Sequence, residues 1–246
     1  MESYLKCEEC AGNVIDKEAG ILNRGNLRRL KSFLNRAAQG ERLTVGFIGG
    51  SITQGFAATE PDQCYAARTV AWLRKVFPNT EFDYVNAGIG ATNSQFGAAR
   101  VQEDLLRRLP DLVMVEFSVN DHCTPHDMET YEGLIRQIYG SRSCPAMVLL
   151  HSVYYDTGKS AAYYHAQIGR HYDLPCISMQ NSIYPAVAAG KLPAEKITAD
   201  FLHPNDLGHE FMASVITNFL EKVIHDKTEE QQETFPEPLT ENAYEH

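Results

Sequence analysis

The chain of 246 residues has no long apolar run, and nothing in it approaches the roughly eighteen consecutive residues that a bilayer-spanning helix needs. Its first twenty residues, MESYLKCEECAGNVIDKEAG, lack a basic start, an apolar stretch and a small-residue cleavage site. No secretory leader is read there, and a cytoplasmic location is the expectation. Basic charge is also short. The 22 lysines and arginines face 32 acidic residues, for a net charge of −10, so nucleic acid and anionic membranes are not expected partners. The six cysteines form neither a disulfide framework nor a zinc pattern. The CxxC of Cys7 and Cys10 has no second CxxC or histidine pair, so no metal and no cofactor is expected. Cys64, Cys123, Cys144 and Cys176 lie in or beside apolar segments and read as reduced core thiols. Phosphate-binding signatures are missing as well. GGSITQG, residues 49–55, lacks the lysine of a P-loop and does not match GxGxxG. Thr53 stands where the GxSxG elbow of α/β-hydrolases has its last glycine.

What is present is an alternation of short apolar runs and amphipathic stretches. TVGFIGG, EFDYVNAG, DLVMVEFSV, AMVLLHSVYY and PCISM read as strands. Their continuous apolar character means cover on both faces. Between them CYAARTVAWLRKVF, SQFGAARVQEDLLRRL, METYEGLIRQIYG and SAAYYHAQIGRHY read as helices. A long final helix starts at NDLG, with Phe211, Val215, Phe219 and Val223 on one face. Residues 21–38 carry Leu22, Leu27, Leu30 and Leu34 near helical spacing and predict a surface helix closed by Gly40. The pattern predicts an α/β domain with a doubly wound parallel sheet of about five strands. The expected division is an N-terminal extension and helix (1–43), the sandwich (44–225) and an acidic tail (226–246), whose glutamates read as a disordered, solubilising end.

In such sheets ligands bind beyond the carboxyl ends of the strands. Those ends carry Gly49-Gly50-Ser51, then NAGIGATNS (86–94), then SVNDH (118–122), and the loop before the last helix carries Asp200 and His203. Two glycines allow the sharp turn that presents a serine hydroxyl. A hydroxyl needs a base to act as a nucleophile, which His203 can supply, with Asp200 fixing its tautomer. The amide of Asn120 and the N–H groups of Gly90 and Ser51 are candidate donors to a developing oxyanion. Each piece alone also has an ordinary reading: a helix-capping serine, a turn asparagine, a flexible glycine, an exposed histidine.

Taken together and in order, GGSIT, NAGIGAT, SVND and the Asp200/His203 pair resemble the four blocks of the SGNH (GDSL-type) hydrolases, over residues 44 to about 225. The resemblance implies a flavodoxin-like three-layer α/β/α sandwich and a metal-free site. It makes Ser51 the nucleophile, His203 the base, Asp200 its orienting partner, and Ser51, Gly90 and Asn120 the oxyanion donors. The family's usual Gly-Asp-Ser has Gly50 in place of its aspartate here. Gly90 is preferred to Gly88 because it stands two residues before Thr92. The block variants look most like bacterial members grouped with carbohydrate acetyl esterases. The expected function is therefore a serine esterase acting on short acyl esters, acetyl foremost, of a sugar or another polar alcohol. The alternatives are a thioesterase or lysophospholipase with the same triad, and a non-catalytic module that binds acylated glycans. Gln54, Asp62, Tyr65, His122, His151 and Tyr154 are candidates for the surrounding polar surface.

Overall fold

The computed structural model describes residues 14–243, so Cys7 and Cys10 lie outside the described residues. In chain order the elements are β1 (Ile21–Asn23), α1 (Arg28–Ala38), β2 (Leu43–Gly49), α2 (Ser51–Gln54), α3 (Tyr65–Val76), β3 (Phe82–Gly88), α4 (Ser94–Asp104), β4 (Leu112–Glu116), α5 (Pro125–Tyr139), β5 (Ala146–His151), α6 (Ala162–His171), β6 (Cys176–Ser178), α7 (Met179–Ser182), α8 (Tyr184–Ala188) and α9 (Asp206–His225). The six strands form one sheet in the order β1-β6-β5-β4-β2-β3. From β3 to β6 the neighbours run parallel, and β1 pairs antiparallel with β6 at the edge.

Alternate residues of the apolar strands feed two cores. Val45, Phe47, Leu112, Met114, Val148 and Leu150 face α1, α3 and α9, while Ile48, Val113, Val115, Met147 and Leu149 face α4, α5 and α6. This is the three-layer α/β/α arrangement that continuous apolar strands demand. The chain leaves β2 for β3 on one side and returns to β4 on the other. The carboxyl end of β2 is thus the point where winding reverses, the standard position for a ligand crevice. Among the described residues no helix is long and apolar enough to cross a membrane.

Three expectations change. Residues 21–23 are an edge strand rather than the start of a helix, and α1 begins only at Arg28. Gly25 makes the break: its φ is +59°, and a Cβ there would come 2.5 Å from the Leu174 carbonyl carbon. Leu22 accordingly packs towards the α4–α6 core, while Leu30 and Leu34 fill the other. Cys64 and Cys176 are buried, but Cys123 and Cys144 are exposed in the loops after β4 and before β5. The acidic tail is not loose. Asp226 and Glu230 pair with Arg24 and Lys31, and Glu233 pairs with Arg29 at 2.6 Å. Phe235 stacks on Tyr139 at 5.0 Å with the Arg136 guanidinium over its ring at 4.3 Å. Glu132 of α5 accepts the N–H groups of Leu239 and Thr240 at 2.6 and 2.8 Å. Solubilising charge and specific docking look alike in composition, because the docking partners are basic residues some two hundred positions earlier.

The hydrogen bond from Arg24 holds the Glu230 carboxyl down at about 2, against an ordinary 4.5, and that of Asp226 is lowered by the same guanidinium. A carboxyl depressed in the folded state stabilises it above the unfolded pKa, and that contribution is lost as pH falls through the folded value. Hydrogen-exchange protection of residues 227–240, corrected for the intrinsic rate, is expected to persist at about pH 5 and to be lost near about pH 2. In Glu230→Gln, which has no charge there to hold, it is expected to be weak at both.

Candidate functional site

β2 delivers Ser51. The strand ends at Gly49, whose carbonyl accepts the Ile89 N–H and the Arg100 guanidinium, both at 3.1 Å. Ser51 follows Gly50 and opens the one-turn α2, which stops at Gly55 with φ +94°. There is no room for side chains at this corner. A Cβ on Gly49 would strike Thr53 Oγ1 and come 2.5 Å from the Glu116 carbonyl oxygen, and one on Gly50 would strike the Asn120 amide oxygen. The glycine that departs from Gly-Asp-Ser thus faces the Asn120 side chain directly.

The loop between α8 and α9 brings His203 to the serine. Ser51 Oγ lies 2.9 Å from His203 Nε2, and His203 Nδ1 lies 2.6 Å from Asp200 Oδ2. The other Asp200 oxygen accepts the N–H groups of Leu202 and His203 at 3.1 and 2.7 Å, so a single side chain shapes the turn and orients the ring. Burial pushes the Asp200 carboxyl up, but the hydrogen bonds from His203 and Leu202 outweigh it and hold it below the ordinary carboxylate range. The loop is pinned at its base by pairing of Thr198 with Pro204, and Asn205 caps α9 through the Leu207 and Gly208 N–H groups. Asp206 accepts the N–H and hydroxyl of Thr59 instead, tying the segment after α2 to the same corner. The Phe56 ring leans over the His203 ring at 4.5 Å.

The remaining candidates arrive from the ends of β3 and β4. A Cβ on Gly90 would lie 3.8 Å from Ser51 Cβ, which puts its main chain beside the serine. Its N–H is taken, donating to Gln54 Oε1 at 2.9 Å. The Gly88 N–H donates to Asn86 Oδ1 at 2.9 Å, and Gly88 itself is wedged against the main chain of Gln54. Asn120 rests against Gly50 with its amide oxygen buried and unpartnered. That leaves the amide N–H groups as the end able to serve an incoming oxygen. Among the described residues no group of three or more His, Cys, Asp or Glu is arranged to hold a metal ion.

The six residues expected around the site divide. Gln54 reaches Gly90, while Tyr154 donates from its hydroxyl to the Val119 carbonyl at 3.3 Å and lines a groove with the exposed His122. Asp62 is exposed and accepts a hydrogen bond from its neighbour Gln63. Tyr65 and His151 are interior. Tyr65 shares a hydrogen bond with Thr53 at 2.8 Å, and burial lowers the His151 ring to about 3, keeping it neutral. Sequence reasoning missed Arg100, a buried arginine that donates to the Gly49 and Ala87 carbonyls and holds the ends of β2 and β3 together. Its signal was an arginine inside an otherwise apolar helix face, which spacing alone does not separate from a solvated one.

Residues 47–211 match the family model of the GDSL-like lipase/acylhydrolases. No curated protein sequence matches the chain. Among solved structures, the crystal structure of a two-domain esterase active on acetylated mannans is 53% identical, with a TM-score of 0.93 over 94% of this chain. The chain spans 63% of that protein's length. The same esterase co-crystallised with mannopentaose is 52% identical over 94% of this chain and 62% of its own, with a TM-score of 0.90. An acetylxylan esterase from Geobacillus stearothermophilus, 20% identical with a TM-score of 0.58 over 72% of this chain and 94% of its own, shares the fold.

The two glycines of the second loop differ in what an added methyl would meet. Gly88→Ala would force apart main-chain atoms and is expected to lower the unfolding free energy in urea by about 1–3 kcal/mol. Gly90→Ala meets only the mobile end of Gln54, at 2.9 Å, and is expected to cost less than half as much in the same titration.

Proposed function

The chain belongs to the GDSL-like lipase/acylhydrolase family, and from that premise we propose that it is a serine esterase removing a short acyl group, acetyl foremost, from a sugar or another polar alcohol. The observation that carries this reading is the relay from Ser51 through His203 to Asp200, at 2.9 and 2.6 Å. His203 Nε2 takes the hydroxyl proton as Ser51 Oγ attacks the ester carbonyl carbon. Asp200 holds the imidazole by Nδ1 and stabilises the imidazolium that forms. The carbonyl oxygen, now an alkoxide, is received by the N–H groups of Ser51 and Gly90 and the Asn120 amide. The tetrahedral centre collapses, His203 returns the proton to the leaving alcohol, and Ser51 keeps the acyl group. Water, deprotonated by the same nitrogen, attacks that ester, releases the carboxylic acid and restores the serine.

The likeness to an esterase active on acetylated mannans supports an acetylated sugar as substrate. A longer acyl chain is the second reading, and the exposed Phe56, Ile89 and Phe201 close to the relay offer apolar surface to it. Their apolar surface suits the C–H face of a sugar ring or the methylenes of an acyl chain equally well.

A series of p-nitrophenyl esters from acetate to octanoate separates these readings. Short esters are expected to be preferred, with turnover in Ser51→Ala falling by a factor on the order of 10⁶. A preference for octanoate would favour the lysophospholipase or thioesterase reading. Hydrolysis surviving in Ser51→Ala would sink the serine mechanism. A chain that neither hydrolyses these esters nor is labelled by a fluorophosphonate would be a binding module. Because the Gln54 amide occupies the Gly90 N–H, substrate must displace it. Gln54→Ala is therefore expected to raise kcat/KM by about two- to tenfold, the worth of one net hydrogen bond. A fall instead would mean that Gln54 contacts substrate.

A further inference from the structure

Asn120 and the Gly90 loop come from different strands, yet one buried side chain is bonded to both segments. Asp121 follows Asn120, and its carboxylate is wholly shielded from solvent. Oδ1 accepts the Ser94 N–H at 2.8 Å, at the point where the Gly90 loop enters α4. Oδ2 accepts His165 Nε2–H at 2.9 Å, from α6. Neither partner is free to drift. Ser94 bonds through its hydroxyl to Thr130 of α5 at 2.8 Å, and Asn93 before it caps α4 by accepting the Phe96 N–H. The His165 ring stacks flat on Tyr131 of α5, and the Ala161 N–H at the head of α6 donates to the Ser118 carbonyl at 2.6 Å. The main chain of the Asn120 turn is fastened from below, where the N–H groups of Asn120 and Asp121 both donate to the Phe117 carbonyl.

We infer that Asp121 is the positioning residue of the oxyanion site: carried on the Asn120 turn and steadied by His165, its carboxylate holds the Gly90 loop through the Ser94 N–H, so that donors from β3 and β4 meet the same oxygen. A buried pair of this kind adds little net stability over well-packed apolar residues of the same volume. What it supplies here is geometry, because a side chain carried on one loop and bonded to the other sets the distance between them. Donors that shift by about an ångström lose most of their preference for the tetrahedral state over the ground state, an effect of up to about a hundredfold in rate. The inference rests on the reading of Gly90 and Asn120 as oxyanion donors.

The test uses Asp121→Asn in the full chain, which keeps the volume but cannot accept at both ends. Active serines are counted by fluorophosphonate titration, so that misfolded molecules do not enter kcat. Per titrated site, kcat on p-nitrophenyl acetate is expected to fall roughly ten- to a hundredfold with KM within about twofold of wild type. The affinity of a short alkyl boronic acid, which forms a tetrahedral adduct on serine, is expected to weaken by the same factor as kcat. A role confined to stability would lower the melting temperature and leave both per-site quantities unchanged, and that result overturns the proposal. So does a fall in kcat without the matching loss of boronic acid affinity. If Asp121→Asn does not fold, Ser94→Pro removes the single N–H that Oδ1 accepts. Asn93 is extended (φ −106°, ψ −178°), as a residue before proline must be, and the first helical position tolerates proline. The same kinetic split is expected there, and its absence is equally fatal. If ester hydrolysis is unaltered by Ser51→Ala, the functional reading itself fails and this proposal falls with it. If hydrolysis depends on Ser51 but not on Asp121, only the proposal fails.

Discussion

At the carboxyl tips of β2 and β3 three glycines leave no room for a side chain of their own. Gly49 lies against Thr53 and the end of β4, Gly50 against Asn120, and Gly88 against the main chain of Gln54. This contact sets the direction of the one-turn α2, and with it the direction of Ser51. Arg100 reinforces it by bonding the Gly49 carbonyl of β2 and the Ala87 carbonyl of β3 with one buried guanidinium. Every other part of the site is placed relative to this corner. The His203 loop reaches it from 152 residues away, and the Asn120 turn leans on Gly50.

The relay lies near the surface. The Asp200 side chain is 48% exposed and that of His203 17%, so in the proposed reading an ester would meet the serine close to the rim of the sandwich. Such a position admits an acyl group carried on a bulky alcohol, since the rest of that alcohol need not be engulfed. It also leaves Asp200 in contact with water. Its hold on His203 therefore depends on the two N–H donors that bind its other oxygen, which keep the carboxylate ionised and aimed.

Much of this was legible because the fold writes it locally. Continuous apolar runs that stop at glycine mark buried parallel strands, and the residues after those stops are the ones gathered at the site. Ser51 and Gly90 sit next to such punctuation, Asn120 follows the apolar run of β4, and Asp200 and His203 stand just before the cap of the last helix. What was not legible depends on distant partners. The stretch from Ile21 has helical spacing, but Gly25 must take a left-handed conformation against Leu174, and only the folded chain brings Leu174 there. His165 and Asp121 are 44 residues apart, and nothing local in either tells a buried pair from two exposed charges. The occupied Gly90 N–H is likewise a matter of where the Gln54 side chain ends.

The docked tail has a consequence for the order of folding. Its ion pairs join residues 195 to 206 positions apart, so the loop they close contains all five parallel strands. A contact of such span gains nothing until the layers it bridges have formed, since the loop-closure entropy is opposed only by partners that already stand in place. α1 lies on one side of the sheet and α5 on the other, and the tail binds both. It is therefore the last piece to settle when the chain folds. It is also expected to open as a separate unit while the sheet beneath it stays intact.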